Sequence, residues 1–128
     1  MPKDKQTDAF VSALFESVPE FASTAAQEVS YYGELLPHVL MGTFTRWLIE
    51  TYRCAVRGDL AARDLFERAL AFLDAQLRDQ SRPAVQELIS VSFLENLHQA
   101  GSDLEGLKRH LGPHLRIQLE RYEGTHLN

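Results

Sequence analysis

Residues 35–57, LLPHVLMGTFTRWLIETYRCAVR, contain the clearest indication of the fold. Apolar side chains occur on almost every side of a helix drawn through this stretch, which is typical of a helix buried among others. Its one polar stripe is spaced by four, three and four residues, so that the charges can pair along a solvated edge: Arg46, Glu50, Arg53 and Arg57. We therefore predict a central helix that needs apolar neighbours on most of its sides.

The segments before and after this stretch have the periodicity of amphipathic helices, separated by Pro and Gly signals. The predicted helices cover approximately residues 8–18, 19–32, 60–80, 83–99 and 103–111, followed by a last helix that carries Leu115, Leu119 and Tyr122. Because the connections are short, neighbouring helices should be antiparallel. The predicted fold is all-α, a compact bundle or short stack of six to seven antiparallel helices. It is one domain, residues 1–128, and its ends, 1–6 and 123–128, should be frayed.

Two local features of this assignment bear on the packing. The apolar run 89–94 also fits a strand when it is read in isolation, although the length and caps of the surrounding pattern favour a helix. On the helix predicted for 60–80, two opposite-charge pairs at i,i+4 spacing should point outward: Asp64 with Arg68, and Asp74 with Arg78.

The composition is that of an ordinary globular protein, with 45% hydrophobic and 24% charged residues. Cys54 is the only cysteine, so neither a disulfide within the chain nor a thiolate metal cluster can form. The sequence has no stretch of roughly 18 apolar residues, as a membrane span requires, and its start lacks an apolar signal core. We expect a soluble protein of the reducing cytoplasm with no membrane partner.

The charge is unevenly distributed along the chain. The formal net charge is −5, and it arises within residues 6–45, which contain no Lys or Arg. The acidic residues of that segment are Asp8, Glu16, Glu20, Glu28 and Glu34. A net negative charge repels nucleic-acid phosphates, and the few basic residues near the C-terminus are diluted by acidic ones. We therefore expect no nucleic-acid partner.

The acidic segment also contains tyrosines, and this combination predicts a binding surface. Such a surface is complementary to a basic partner, with Tyr31 as an anchor of the type that interfaces enrich. The alternative is a solvated acidic surface that keeps the protein soluble. The residues predicted to bind the partner, called the acidic face below, are Glu16, Glu20, Gln27, Glu28, Tyr31 and Glu34.

The sequence contains no catalytic motif of the common kinds, neither Gly-x-Ser-x-Gly, nor a Gly-rich phosphate loop, nor His-Glu-x-x-His. We expect no enzyme, no catalytic residues, no cofactor and no bound metal. The alternative is a metal-binding helical-bundle enzyme, because Glu95 and His98 have the spacing of carboxylate-bridged metal bundles and Glu50 could add a carboxylate. His110 and His114 are four residues apart, but the Gly-Pro pair between them should break the helix that would align them.

Two segments resemble stretches of small bacterial all-helical proteins, some of which look like immunity proteins of toxin systems: ELLPHVLMGTFTRWL, residues 34–48, and ISVSFLENL, residues 89–97. The matched positions are mainly apolar. The resemblance implies a cytoplasmic antidote that occludes or distorts a toxin, and an acidic face suits a basic toxin such as a nuclease. The sequence thus favours a non-catalytic immunity protein that neutralises a bacterial toxin by direct binding. A structural homo-oligomer stays open as a further alternative.

Overall fold

The computed structural model describes residues 3–34 and 36–127. Within them the chain forms seven α-helices and no strand, which confirms the predicted all-α fold. The helices are α1 (Lys3–Ser17), α2 (Ala22–Tyr32), α3 (Pro37–Val56), α4 (Leu60–Gln76), α5 (Pro83–Ile89), α6 (Leu104–Lys108) and α7 (Pro113–Leu127). A 3-10 turn (Pro19–Phe21) joins α1 to α2, and a π-helical segment (Ser90–Leu94) and a 3-10 segment (Glu95–Asp103) join α5 to α6. None of the described helices is long and apolar enough to cross a membrane.

Helix α3 is the central helix, as its apolar sequence predicts. It contacts α2, α4, α5, the π-helical segment and the 3-10 segment. Phe44 and Leu48, in its middle, are fully buried. Helix α1 packs on α4 and α5, and α7 packs on α4 and the π-helical segment, so that both cover the same core. Since each fully buried side chain of this size stabilises the fold by roughly 1.5–3 kcal/mol, α3 holds much of the core together.

The turns that end α2 and α3 follow from local signals in the sequence. Gly33 and Gly58 have φ angles of 78° and 105°, a left-handed conformation in which other residues are strained. Directly after Gly58, the Asp59 side chain accepts a hydrogen bond from the backbone N–H of Ala62 at 3.0 Å and caps α4. The sequence therefore determines where α4 begins and how it turns back from α3.

The region predicted as one helix over 83–99 is helical but not uniform. In the π-helical segment the N–H of Glu95 bonds to the carbonyl of Ser90, five residues earlier. The carbonyl of Ser92 accepts from Thr45 Oγ1 at 3.2 Å and from Asn96 Nδ2 at 2.8 Å. The strand alternative for 89–94 is therefore wrong. A side chain of α3 supports the widened turn, and no periodicity within the segment could predict that contact.

Neither of the two outward charge pairs predicted on α4 forms. The guanidinium of Arg68 bonds to Glu20 of the 3-10 turn instead of to Asp64. Asp74 is buried, and its carboxylate accepts from the backbone N–H groups of His114 and Leu115 at the start of α7. Both side chains contact distant parts of the chain, so the expectation from i,i+4 spacing was wrong at both.

The ends of the chain contain more regular structure than the expected fraying of 1–6 and 123–128 suggests. Helix α1 begins at Lys3, and α7 continues to Leu127. Gln6 is buried, and its side-chain oxygen accepts a hydrogen bond from the backbone N–H of Ala84 at 3.1 Å. For positions 1, 2 and 128 the expectation lies outside the described residues.

Candidate functional site

The acidic face follows the C-terminal part of α1, the 3-10 turn and α2. Its members Glu16, Gln27, Tyr31 and Glu34 are exposed, as is Glu20 in the 3-10 turn. The charges of Glu16 and Glu34 form no ion pair within the described part of the chain, and both remain available to a partner. The structure therefore exposes most of the predicted residues, but it does not leave all of them free.

Glu20 is held by a cation from another helix. Its carboxylate accepts hydrogen bonds from both terminal nitrogens of the Arg68 guanidinium on α4, at 3.1 and 2.5 Å. These hydrogen bonds lower the pKa of Glu20, and a bond to its own backbone adds to the effect. Arg68 also donates to the carbonyl of Ser17 at 3.3 Å. Glu20 thus connects the 3-10 turn to α4, and its negative charge is partly neutralised.

Glu28 also has a role inside the fold. It is only half exposed, and its carboxylate accepts a hydrogen bond from the Thr43 hydroxyl of α3. Arg46, one turn further along α3, donates to the same hydroxyl oxygen at 3.1 Å. Glu28 therefore fixes α2 against α3, and its replacement would disturb this packing as well as the surface charge.

Two neighbouring tyrosines form the most exposed apolar feature of the acidic face. The side chain of Tyr31 is 82% exposed, and that of Tyr32 is 50% exposed. Their rings lie edge to face with centroids 4.9 Å apart. Both tyrosines lie at the C-terminal end of α2. Large apolar groups left in water beside acidic residues are the usual anchors of protein interfaces.

A groove between α3 and α4 adjoins the acidic face, and no sequence pattern predicted it. Its volume is about 450 Å³, and it is lined by Glu20, Trp47, Glu50, Thr51, Cys54, Asp59, Ala61, Ala62 and Leu65. Trp47 is only partly buried and packs on Phe21 and Phe44, with ring centroids 5.3 and 5.6 Å away. The apolar surroundings of Trp47 in the sequence indicated a core residue, whereas the structure places part of the indole in this groove.

The three residues of the metal-site alternative do not come together. Glu95 and His98 line a cleft of about 430 Å³ beside α6 and α7. Glu50 lines the other groove, between α3 and α4, and bonds to Arg53 at 2.5 Å. His98 Nδ1 bonds to the carbonyl of Glu95 at 2.6 Å. Among the described residues no three His, Cys, Asp or Glu side chains are grouped as metal ligands, so this geometry does not support a site built from these residues.

The same cleft contains a tyrosine with a shifted pKa. Tyr122 lines it together with Glu95, Lys108 and Glu123, and Lys108 lies 3.6 Å from the Glu123 carboxylate. Burial raises the pKa of Tyr122, and the negative charge of Glu95 raises it further. A phenol with a raised pKa stays protonated at neutral pH and can donate a hydrogen bond, so Tyr122 is a candidate binding group in this cleft.

Three other histidines, His38, His110 and His114, have structural contacts. His110 lies edge to face against Tyr52 and Phe66, with ring centroids 5.8 and 5.4 Å apart. His114 Nδ1 is 3.2 Å from the carboxylate of buried Asp74. His38 Nδ1 bonds to the hydroxyl of Ser92, and only 5% of the surface of that serine is exposed. The Ser92 hydroxyl is therefore screened from a substrate by the fold.

The comparisons with known proteins give a family but no activity. No curated protein and no solved structure matches the chain. Residues 11–126 match the family described as "Domain of unknown function (DUF7674)". Because this match covers all the helices that form the core and the acidic face apart from the first residues of α1, the chain belongs to the DUF7674 family.

Proposed function

We propose that this protein is a non-catalytic binding protein that engages a basic protein partner through its acidic face. In its concrete form it is a cytoplasmic immunity protein that neutralises a bacterial toxin by direct binding, as the resemblance of residues 34–48 and 89–97 implies. A bound antidote of this kind needs affinity and complementary charge but no reacting group, which agrees with the lack of a catalytic motif in the sequence.

One observation carries this proposal: the edge-to-face pair Tyr31 and Tyr32 is exposed on a segment with five acidic residues and no Lys or Arg. Exposed aromatic residues at a helix end do not stabilise the monomer by burial, whereas they contribute strongly once a partner removes them from water. The surrounding negative charge attracts a basic protein and orients it before contact.

Charge and aromatic anchor should act at different stages of binding. Long-range attraction by Glu16 and Glu34 raises the association rate and decreases with salt. The tyrosines act after docking, when they are desolvated, and therefore determine how slowly the complex dissociates. A partner bound in this way is a basic protein whose affinity falls as the salt concentration rises.

The proposal is tested with the full chain as bait in its source cell, beside a Tyr31→Ala/Tyr32→Ala variant. We expect wild type to retain a basic protein that the variant loses, and the purified partner to dissociate from the variant at least tenfold faster, as for loss of an interface anchor of about 2 kcal/mol or more. Circular dichroism checks that both baits are equally folded.

Toxin neutralisation is then tested by expressing the captured partner in a bacterial host with and without this protein. We expect the partner alone to stop growth, wild type to restore it and the double tyrosine variant to restore it less. A partner that is not basic, or one that both baits retain equally, would refute binding through the acidic face. A harmless partner would refute the immunity role.

A further inference from the structure

We propose that the α3–α4 groove receives an arginine side chain of the basic partner, seated against Trp47. The arginine would belong to the same partner that the acidic face attracts, so this inference rests on the proposed function. The groove itself can be tested without that partner.

The shape and lining of the groove suit a long side chain with an apolar stem. Trp47, Cys54 and Leu65 give it apolar walls, and the small side chains of Ala61 and Ala62 leave it open beside α4. Its volume of about 450 Å³ accommodates an extended side chain with part of its backbone. Arginine buries its methylene groups against such surfaces while its charged end stays at a polar rim.

The charges at the rim are complementary to a guanidinium. The charged side chains lining the groove within the described residues are the carboxylates of Glu20, Glu50 and Asp59. Arg68 bonds to Glu20, and Arg53 is shared between Glu50 and Asp103. The Asp59 carboxylate caps α4 through the N–H of Ala62. Of the three carboxylates that line the groove, it is the one that forms no ion pair within the described residues.

A third guanidinium, that of Arg57, lies at the C-terminal end of α3, two residues before Asp59. Arg57 donates a hydrogen bond to Sγ of Cys54 at 3.3 Å and forms no ion pair with Asp59. The unmatched charge is the one on Asp59, which lies where α4 begins.

Trp47 distinguishes arginine from other cations. Among the described residues that line the groove it is the only aromatic one, and its contacts with Phe21 and Phe44 hold the indole in place before any ligand arrives. Indole is the strongest cation–π partner among the side chains, and the planar guanidinium stacks on it and pairs with carboxylates in a way that ammonium does not. Glu20 belongs both to the groove and to the acidic face, so a partner steered to that face arrives beside the groove.

The test uses the fluorescence of Trp47, which is the only tryptophan of the chain. The full chain is titrated with the peptide Gly-Arg-Arg-Gly and with the same peptide carrying citrulline, which has nearly the shape of arginine but no charge. We expect the arginine peptide to change the emission saturably, with an affinity about fivefold or more above that of the citrulline peptide. A lysine peptide should bind more weakly than the arginine peptide.

Two variants on α4 and its cap locate the site. Asp59→Asn keeps the helix cap but removes the unmatched charge, and it should weaken arginine-peptide binding about threefold. Glu67→Gln removes a charge on the same helix outside the groove, and it should leave binding unchanged. Equal effects of these two variants, or equal binding of the arginine and citrulline peptides, would overturn the proposal.

An alternative occupant is a second copy of this chain. Trp47 emission would then depend on protein concentration without any peptide, and sedimentation would show a dimer, which would also overturn the proposal. The peptide titration can succeed or fail independently of the proposed function. Peptide binding should persist in the Tyr31→Ala/Tyr32→Ala variant, because neither tyrosine lines the groove. If the double tyrosine variant retains the basic partner as well as wild type does while the peptide titration is intact, only binding through the acidic face is contradicted.

Discussion

Asp74 on α4 caps α7 by accepting a hydrogen bond from the backbone N–H of His114 at 2.9 Å, across 40 residues of sequence. The same carboxylate oxygen accepts from the N–H of Leu115 at 2.9 Å, and the other oxygen is 3.2 Å from His114 Nδ1. An anion at a helix N-terminus satisfies free N–H groups and meets the positive end of the helix dipole. One buried side chain of α4 thus fixes where α7 begins.

Asp74→Ala should lower the free energy of unfolding by about 2–3 kcal/mol, because it leaves two backbone N–H groups at the start of α7 without their charged acceptor. Urea denaturation measures the loss. Asp64→Ala, an exposed change on the same helix, is the control and should stay within about 0.5 kcal/mol of wild type. Equal denaturation midpoints for the two variants would mean that the cap contributes nothing.

Gly112→Ala should destabilise the protein by about 1–3 kcal/mol, because a Cβ at this position would lie 2.5 Å from Cγ of Asp74. Gly124→Ala, on α7, is the matched control. Its Cβ would meet no atom within 4 Å, and alanine in a helix is favoured over glycine by up to about 1 kcal/mol. Thermal unfolding should therefore shift in opposite directions for the two variants. If both variants shift the unfolding temperature in the same direction, the close approach of Asp74 is not the reason for glycine at position 112.

Phe44→Ala and Trp47→Ala should differ in cost although the residues are one helical turn apart. Phe44 is fully buried, so its truncation should cost about 3–5 kcal/mol through lost burial and the cavity left behind. Trp47 is partly exposed in the α3–α4 groove, so Trp47→Ala should cost clearly less stability than Phe44→Ala. Chemical denaturation of both variants decides. A Trp47→Ala loss equal to that of Phe44→Ala would place the indole in the core, as the sequence pattern alone predicts.

The phenol of Tyr122 should ionise at a higher pH than a tyrosine of ordinary pKa. Its pKa is raised from the ordinary value of about 10, first by burial and then by the charge of Glu95. Folding favours the neutral phenol, so its contribution to stability is complete below about pH 10 and is lost as the pH rises through the raised pKa. Absorbance at about 295 nm follows phenolate formation in the four tyrosines of the chain.

Two variants assign that ionisation. Tyr122→Phe should remove the highest-pH step. Glu95→Gln should lower the pKa of Tyr122 only part of the way to the ordinary value, since burial is the larger cause of the shift and remains. If the titration curve of Tyr122→Phe still contains the ionisation step at the highest pH, that step belongs to another tyrosine.

Local periodicity was sufficient for the helices and insufficient for their polar contacts. The apolar stretch of α3 predicted the central helix, and the Gly signals between segments predicted the turns found at Gly33 and Gly58, because these signals act within a few residues. Arg68 and Asp74 were assigned to neighbours on their own helix. Their observed partners lie 48 and 40 residues away, and only the tertiary packing brings them together.

The candidate site shows the same division. Exposure of Glu16 and Tyr31 follows from their positions on amphipathic helices, and the structure confirms it. The bond of Glu28 to Thr43 and the groove at Trp47 depend on how α3 meets α2 and α4, which a helical pattern does not encode. An apolar residue of a central helix can therefore line a surface groove wherever a neighbouring helix has small side chains.

Attraction of a basic partner by the acidic face can be tested by reversing the charges of its two carboxylates that form no ion pair within the described part of the chain. Reversal at Glu20 or Glu28 would also break their contacts with Arg68 and Thr43, so Glu16→Lys/Glu34→Lys is the better variant. Glu105→Lys/Glu120→Lys makes the same change in net charge on α6 and α7 and serves as the control.

The measurement is the association rate constant of the captured partner, determined by surface plasmon resonance at two salt concentrations. We expect Glu16→Lys/Glu34→Lys to slow association about tenfold or more at low salt and to weaken its salt dependence, while the control changes it much less. If both variants slow association equally, only net charge matters and the acidic face is not the docking site.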